Sequence, residues 1–149
     1  MNARSLARSC VVQALYQWQM TRQVPDASDV EFILAKDQGR LDRAYFTELL
    51  NEIITNVGML SAHLEPVLDR PLEELDPVGR AILWLGVCEL VLHHEIPFRV
   101  VINEAIEQAK VFGVQNGHKY VNGILDTLAQ QLRVTELKSP GVTNKPPKS

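Results

Sequence analysis

The sequence predicts an all-α protein of about seven helices in two small packed helical bundles. Apolar residues recur at steps of three and four through most of the chain, and no segment has a convincing alternation of apolar and polar residues of the kind that indicates a strand. Proline and glycine separate the periodic segments. The 149 residues fit one domain, which we place at 1–133, with subdomains of about 1–70 and 75–133.

The first subdomain is predicted to contain four helices. The first runs from about Ala3 to Met20, and Asp26 or Ser28 caps a short second helix. A turn is predicted at 37–41. The third helix is the most regular and ends before Gly58, and the fourth is less regular. Their apolar stripes are Phe46, Leu49, Leu50, Ile53, Ile54 and Val57, and Leu60, Leu64, Val67 and Leu68.

The second subdomain begins with the fifth helix, after a hinge at about 70–76. The Asp76–Pro77 pair predicts an N-cap followed by proline at the first helical position. The helix runs from Val78 to about His93 and is apolar on more than one side, so we expect neighbours to surround it. Gly79 and Gly86 each lower its helix propensity by about 1 kcal/mol, so packing must stabilise it.

Two further helices meet at a glycine-containing joint. The sixth begins after Pro97 and ends at Gly113, which we place in the left-handed C-cap conformation. The seventh begins after Asn116, and we interpret Gly123 within it as a position of close approach to a neighbouring element. The tail at 134–149 has three prolines, three lysines and no apolar period, so we predict that it is disordered.

The charge of the chain is unevenly distributed. The net charge is −3, but residues 1–25 hold three arginines and no acid, residues 26–79 have a net charge of −8, and residues 80–149 have a net charge of +2. Such a chain can bind an anion at one end and repel it elsewhere. A surface of mixed, solvated charge is the alternative that the composition leaves open.

The first helix contains the clearest functional pattern. Its helical projection places Ala7, Cys10, Val11, Ala14 and Trp18 on one side and Ser5, Ser9, Gln13 and Tyr16 on the other, with Arg8 at the edge of the polar side. An exposed tyrosine beside an arginine suits base stacking and phosphate contact, which is how single-stranded RNA is usually bound. Packing of Tyr16 against the other subdomain is the alternative.

No pattern of residues indicates catalysis or a metal. His93 and His94 are adjacent and project about 100° apart on a helix, so they do not converge on an ion. His118 has no second histidine or acid at a spacing that would serve a ribonuclease. The chain has no phosphate-binding glycine loop and no serine-hydrolase motif, so we expect no enzyme, no cofactor and no metal.

The cellular location is predicted from what the sequence lacks. No apolar stretch approaches the roughly 20 residues of a membrane span, and the N-terminus does not have the pattern of a signal peptide. Cys10 and Cys88 lie among apolar residues without a CxxC partner, so we expect buried thiols. We therefore expect a cytoplasmic protein with no membrane contact.

Four collinear segments resemble the NusB family of transcription antitermination factors. They are ALYQWQ (14–19), PVGRAILWLGVCEL (77–90), IPFRVVINEAIEQAKVFG (96–113) and HKYVNGILD (118–126), and the resemblance covers about Ala3 to Arg133. It implies the NusB-like fold and binding of the single-stranded boxA element of nascent RNA together with NusE, a small-subunit ribosomal protein. It also implies a larger complex with NusA, NusG and RNA polymerase that suppresses termination, notably on ribosomal RNA operons.

The resemblance also implies which residues contact RNA: Arg4, Arg8, Tyr16, Phe112, Asn116, Lys119 and Tyr120. The chain departs from the family pattern in having Ala3, Ser5 and Leu6 where relatives often have a denser arginine run, and Asn116 where an aspartate is common. Gly79, Trp84 and Cys88 replace larger polar, charged or tyrosine residues near the surface associated with NusE.

Two other functions stay open at this point. One is a protein-interaction scaffold whose RNA contacts are made by its partner. The other is an RNA-binding domain associated with RNA methyltransferases, because the N-terminal domain of one such enzyme family has a similar fold. The chain has no methyl-donor-binding domain, which argues against a methyltransferase.

Overall fold

The computed structural model describes residues 1–35 and 39–134, and this part of the chain is helical with no strand. It contains seven α-helices: α1 (Ala3–Thr21), α2 (Ala27–Ala35), α3 (Arg43–Thr55), α4 (Val57–Leu64), α5 (Pro77–Leu92), α6 (Phe98–Val111) and α7 (Gly117–Leu132). Two 3₁₀ helices, Glu65–Val67 and Leu72–Glu74, lie between α4 and α5. The all-α prediction is confirmed, whereas most of the predicted tail and part of the predicted turn at 37–41 lie outside the described residues.

Short polar side chains begin several of these helices. Asp76 accepts hydrogen bonds from the backbone N–H groups of Val78 and Gly79, both at 3.0 Å, and Pro77 occupies the first position of α5, as predicted. Before α2, Asp26 accepts from the N–H of Asp29 at 2.9 Å, and Asp29 accepts from the N–H of Asp26 at 3.1 Å. Asp26 is therefore the cap of α2, and Ser28 is not.

The break between α3 and α4 differs from the prediction. We predicted a helix that continues through Val57 and ends before Gly58, but α3 ends at Thr55 and Gly58 lies inside α4. The side-chain amide of Asn56 donates to the carbonyl oxygen of Glu52 at 2.8 Å, the same oxygen that the Asn56 N–H contacts at 3.0 Å. Asparagine competes with the helical backbone in this way, and apolar periodicity does not report it.

Helix α5 forms the centre of the molecule. Every residue from Ala81 to Leu90 is buried, and α5 contacts α1, α3 and α4 from the first half of the chain and α6 and α7 from the second. The prediction that neighbours surround this helix is confirmed. Because α5 packs against both halves, the two bundles share one hydrophobic core, and the proposed boundary at about 70–75 stays a prediction.

Close approach to a neighbour occurs at glycines of α5, not at Gly123. A Cβ atom on Gly86 would lie 2.6 Å from Cδ1 of Leu125 in α7, and one on Gly79 would overlap the hydroxyl of Tyr120. At Gly123 a Cβ atom would meet nothing within 4 Å. The prediction for Gly123 was therefore wrong, because it lies on the exposed face of α7 and the small residues that admit α7 belong to α5.

The joint between α6 and α7 has the predicted backbone conformation. Gly113 has φ of 65° and Asn116 has φ of 56°, so both lie in the left-handed region. At the far end of α7, the buried guanidinium of Arg133 donates to the carbonyl oxygens of Glu89, Leu90, His93 and Ile96 at 2.9 to 3.1 Å. Arg133 thus adds to the backbone hydrogen bonds that close α5, where the Glu89 oxygen also accepts from the N–H of His93. No helix among the described residues is long and apolar enough to cross a bilayer.

Candidate nucleic-acid interface

An apolar groove of about 500 Å³ opens beside the second half of α1. Tyr16 and Phe112 both line it, although they lie on α1 and at the end of α6. Tyr16 is 43% exposed, so the predicted outward orientation of its side chain is confirmed. Both of these rings border the groove, and aromatic rings are the side chains on which unpaired bases stack.

Tyr120 lies next to this groove. Its ring occupies the space above Gly79, and the neighbouring Val78 lines the groove. The Tyr120 hydroxyl donates a long hydrogen bond of 3.4 Å to Oδ2 of Asp76. Burial, together with the charge and hydrogen bond of Asp76, raises the pKa of Tyr120 to about 12, so the phenol is neutral at physiological pH.

Asn116 and Lys119 lie at the joint that follows Phe112. Both side chains are exposed, and Lys119 is in the first turn of α7. Backbone N–H groups at a helix N-terminus and an exposed ammonium group both favour a phosphate. Tyr16 and Phe112 line the groove, Tyr120 borders it, and Asn116 and Lys119 lie in the chain between Phe112 and Tyr120. We call these five residues the aromatic surface.

Arg8 does not belong to the aromatic surface. Its side chain is 4% exposed, its Nε donates to Oε2 of Glu89 at 2.8 Å, and one terminal nitrogen lies 3.2 Å from Oε1 of Glu104. The hydroxyl of Tyr45 donates to the same oxygen of Glu89. Burial lowers the pKa of Arg8, but the charge and hydrogen bond of Glu89 outweigh it, so the guanidinium stays charged.

The prediction that placed Arg8 at the edge of an exposed face is therefore wrong, and helix α6 is the reason. Ser5 donates to Oε1 of Glu104 at 2.8 Å, and Ser9 donates to Oε1 of Gln108 at 2.9 Å. The polar face of the first half of α1 is thus covered by polar residues of α6. Periodicity identifies a polar face but does not tell whether solvent or another polar helix lies against it.

Arg4 is exposed but lies apart from the aromatic surface. Its Nε is 3.8 Å from Oδ2 of Asp42, and its guanidinium lies 4.1 Å from the centre of the Tyr45 ring. Twelve residues of α1 separate it from Tyr16, which corresponds to about 18 Å along the helix. Arg4 can contact only a different phosphate from the one nearest Tyr16.

Comparison with known proteins identifies the family. The NusB family model matches residues 5–130. The chain belongs to the NusB family. The chain is 53% identical to the transcription antitermination protein NusB of Nitrosococcus oceani over 138 residues, which cover 93% of both proteins. It is 47% identical to the NusB of Alcanivorax borkumensis over 135 residues, which cover 91% of this chain and 90% of that protein.

Solved structures have the same fold as this NusB-family chain. A NusB structure from T. maritima superposes with a TM-score of 0.74 at 31% identity and covers 88% of this chain and 94% of that one. A chain from a structure described as antitermination factors NusB and NusE in complex with dsRNA superposes with a TM-score of 0.74 at 21% identity, covering 85% and 96%. At 21% identity, the similarity to the second structure shows a shared fold and nothing further.

The three positions that the sequence analysis associated with the NusE surface lie in the interior of this NusB-family chain. Trp84 and Cys88 are buried in α5, and Gly79 is buried beneath Tyr120. Trp84 packs against Trp18 with ring centres 5.9 Å apart, and its indole N–H donates to Ser61 at 3.0 Å. These three residues therefore contribute to packing inside the protein and offer little exposed surface to a partner.

Sequence reasoning also missed residues of the groove. Phe32 on α2 and Met20 on α1 line it and are 70% and 51% exposed. Val12, Gln17, Ile33 and Val78 complete the lining beside Gln13. The sequence did contain a sign of the exposed Phe32. Helix α2 has three consecutive apolar residues at 32–34, and a helix with one buried face cannot bury all three.

Proposed function

We propose that this NusB-family chain is an RNA-binding transcription antitermination factor that binds boxA-type single-stranded RNA together with NusE. The exposed aromatic surface around Tyr16 and Phe112 is the observation that supports RNA binding most directly. The relatives named transcription antitermination protein NusB support the regulatory role. In this function the protein performs no chemistry, and it acts by positioning RNA and protein partners.

The chemistry of the aromatic surface favours single strands. Tyr16 and Phe112 offer ring faces, which stack on bases only where those bases are not already stacked and paired. Lys119 and the N-terminus of α7 supply positive charge for the adjacent phosphate. Because Arg8 is neutralised internally, Arg4 and Lys119 are the members of the predicted set that contribute charge, so we expect weak RNA binding by the isolated protein.

We propose that NusE supplies the missing affinity. The net charge of the chain is −3, and residues 26–79 are strongly acidic, so a basic ribosomal protein can cover acidic surface and extend the positive track for RNA. A relative of the same fold is described in complex with NusE and double-stranded RNA. We extend the proposal to a cytoplasmic complex with NusA, NusG and RNA polymerase, which reads through terminators.

A titration of labelled RNA tests this proposal. A boxA-type single strand is compared with a duplex of the same sequence, each with and without NusE, over a range of salt concentrations. We expect preference for the single strand, tighter binding with NusE, and a salt slope of about −0.7 for each phosphate contact. Equal affinity for the duplex contradicts the stacking argument, and RNA binding only when NusE is present supports the scaffold alternative.

A further inference from the structure

Three potential metal ligands meet where α3 lies against the end of α5. Oε1 of Glu52 on α3 is 2.6 Å from Nε2 of His93 and 3.7 Å from Sγ of Cys88. The three ligand atoms all lie within 4.8 Å of one another. Cys88 and His93 are buried, whereas the Glu52 side chain is 26% exposed. The group is therefore enclosed by protein on two sides and open to solvent through Glu52.

The orientation of His93 is the second observation. Its Nδ1 lies 3.1 Å from Oε2 of Glu95, so it can donate a proton there and present Nε2 towards Glu52 and Cys88. Histidines that bind metals almost always donate their other ring N–H to a carboxylate or carbonyl, which fixes the tautomer. Arg133 holds the carbonyl oxygen of His93 at 3.1 Å and so fixes its backbone.

Negative charge surrounds the cluster, because Glu52 and Glu89 act on the thiol and Glu52 and Glu95 act on the imidazole. Burial raises the pKa of the Cys88 thiol, and the negative charges of Glu52 and Glu89 raise it further. Burial lowers the pKa of His93, but its hydrogen bonds to Glu52 and Glu95 outweigh this and raise it. A divalent ion between the three ligand atoms would balance the charges of one thiolate and one carboxylate.

We propose that Glu52, Cys88 and His93 form a three-ligand site for a divalent transition metal of the zinc class. A tetrahedral zinc site with one sulfur, one nitrogen and one oxygen ligand has ligand atoms about 3.3 to 3.6 Å apart. The separation of Glu52 and Cys88 exceeds this range by about 0.1 Å, and that of Glu52 and His93 must widen by about 0.7 Å. The ligand atoms of Cys88 and His93 lie within 4.8 Å of each other. The partly exposed Glu52 carboxylate can make this movement, and water takes the fourth position.

The consequence of this site is a link between distant parts of the chain. Glu52 is 36 residues from Cys88, so a bound ion joins α3 of the first bundle to the end of the central helix. Binding to the folded state alone raises the apparent stability in proportion to the logarithm of metal concentration. Because the thiol must lose its proton, and His93 must be neutral at Nε2, affinity should rise with pH.

Titration of the untagged, metal-free protein with Co²⁺ tests the site. We expect one ion per chain, a near-ultraviolet thiolate-to-cobalt absorption band, displacement of Co²⁺ by Zn²⁺, and a higher melting temperature with Zn²⁺. Cys88→Ser should abolish the absorption band. Glu95→Gln, which removes the hydrogen-bond partner of His93, should weaken metal binding on the order of 10- to 100-fold. Glu52→Gln, which removes a ligand, should weaken it more. The controls Cys10→Ser and His94→Gln should bind as the parent does.

Several outcomes would overturn the site. They are the absence of a thiolate band in the folded parent protein, unchanged affinity in Glu52→Gln, and equal loss of binding in His94→Gln. Circular dichroism of each variant identifies a failure to fold, and Glu52→Gln keeps the test decisive if Cys88→Ser does not fold. RNA affinity measured in parallel separates this proposal from the proposed function, because the cluster contains no residue of the aromatic surface.

Discussion

Arg8 and Tyr16 lie about two turns apart on the same helix, and their environments are opposite to what their side chains suggest. The charged arginine is 3% exposed, whereas the aromatic tyrosine is 43% exposed. Arg8, Tyr45, Glu89 and Glu104 form a cluster that we call the buried polar cluster. The first half of α1 thus serves folding, and the second half presents the surface proposed for RNA.

The difference between the halves comes from the helices that cover them. Helix α6 brings Glu104 and Gln108 to the first half, and α5 brings Glu89. A buried charge is tolerated when it is paired and hydrogen-bonded, and Glu89 is such a partner in an otherwise apolar helix. Beyond the reach of those side chains, α1 borders the open groove, and Tyr16 stays accessible.

The largest expected effect is on stability, from Arg8→Ala. This change leaves Glu89 buried without its cation, which should lower the free energy of unfolding by about 3 to 5 kcal/mol. Urea denaturation followed by circular dichroism measures it. RNA affinity per folded molecule should stay the same. The matched control is Arg4→Ala, at an exposed arginine of the same helix, which should change stability by no more than about 0.5 kcal/mol.

The comparison breaks if Arg8→Ala retains the stability of the parent protein but loses RNA affinity and part of the salt dependence. That result would mean that Arg8 leaves Glu89 and contacts phosphate when RNA binds.

The second effect is on RNA binding, from Tyr16→Ala. Loss of one stacking platform should weaken single-stranded RNA binding by about 1 to 3 kcal/mol while leaving the melting temperature nearly unchanged. Fluorescence anisotropy with a boxA-type RNA measures the affinity. Val100→Ala is the control, because Val100 on α6 is also exposed, at 42%, and lies outside the groove. If Tyr16→Ala instead destabilises the fold and spares RNA affinity, the tyrosine is a packing residue.

Local sequence was sufficient to predict the seven α-helices but not the break between α3 and α4, and tertiary contacts decided most of the rest. The Asp76 cap, the left-handed Gly113 and the surrounded α5 depend on residues close in sequence, so their patterns were readable. The burial of Arg8 depends on Glu89, which is 81 positions away, and the cluster at His93 depends on Glu52, which is 41 positions away. Helical projection describes one helix and contains no information on what packs against it.

Smaller changes in stability, of opposite sign at the two positions, are expected from alanine substitutions at an exposed glycine and at a glycine with positive φ. Gly123 lies in open space on α7, so Gly123→Ala should stabilise the protein by up to about 1 kcal/mol through helix propensity. The same change at Gly113, which has φ of 65°, should destabilise it by about 1 kcal/mol. Thermal denaturation of the two variants measures both. Destabilisation by Gly123→Ala would mean that a neighbouring element does approach Gly123 closely, as the sequence predicted and as the structure does not show.

The smallest effect is expected from Tyr120→Phe, because the Tyr120 side chain is only partly buried. The Tyr120 hydroxyl makes one long hydrogen bond of 3.4 Å to Asp76, so removing the hydroxyl should lower the free energy of unfolding by about 0.5 kcal/mol. RNA binding should hardly change, because the aromatic ring remains. Tyr120→Ala removes the ring and should weaken RNA binding by about 1 to 3 kcal/mol. Since the pKa of Tyr120 is about 12, its ionisation should not affect binding at neutral pH. If Phe and Ala weaken binding equally, the hydroxyl and not the ring face contacts RNA, and Tyr120 would have to be reassigned from stacking to hydrogen bonding.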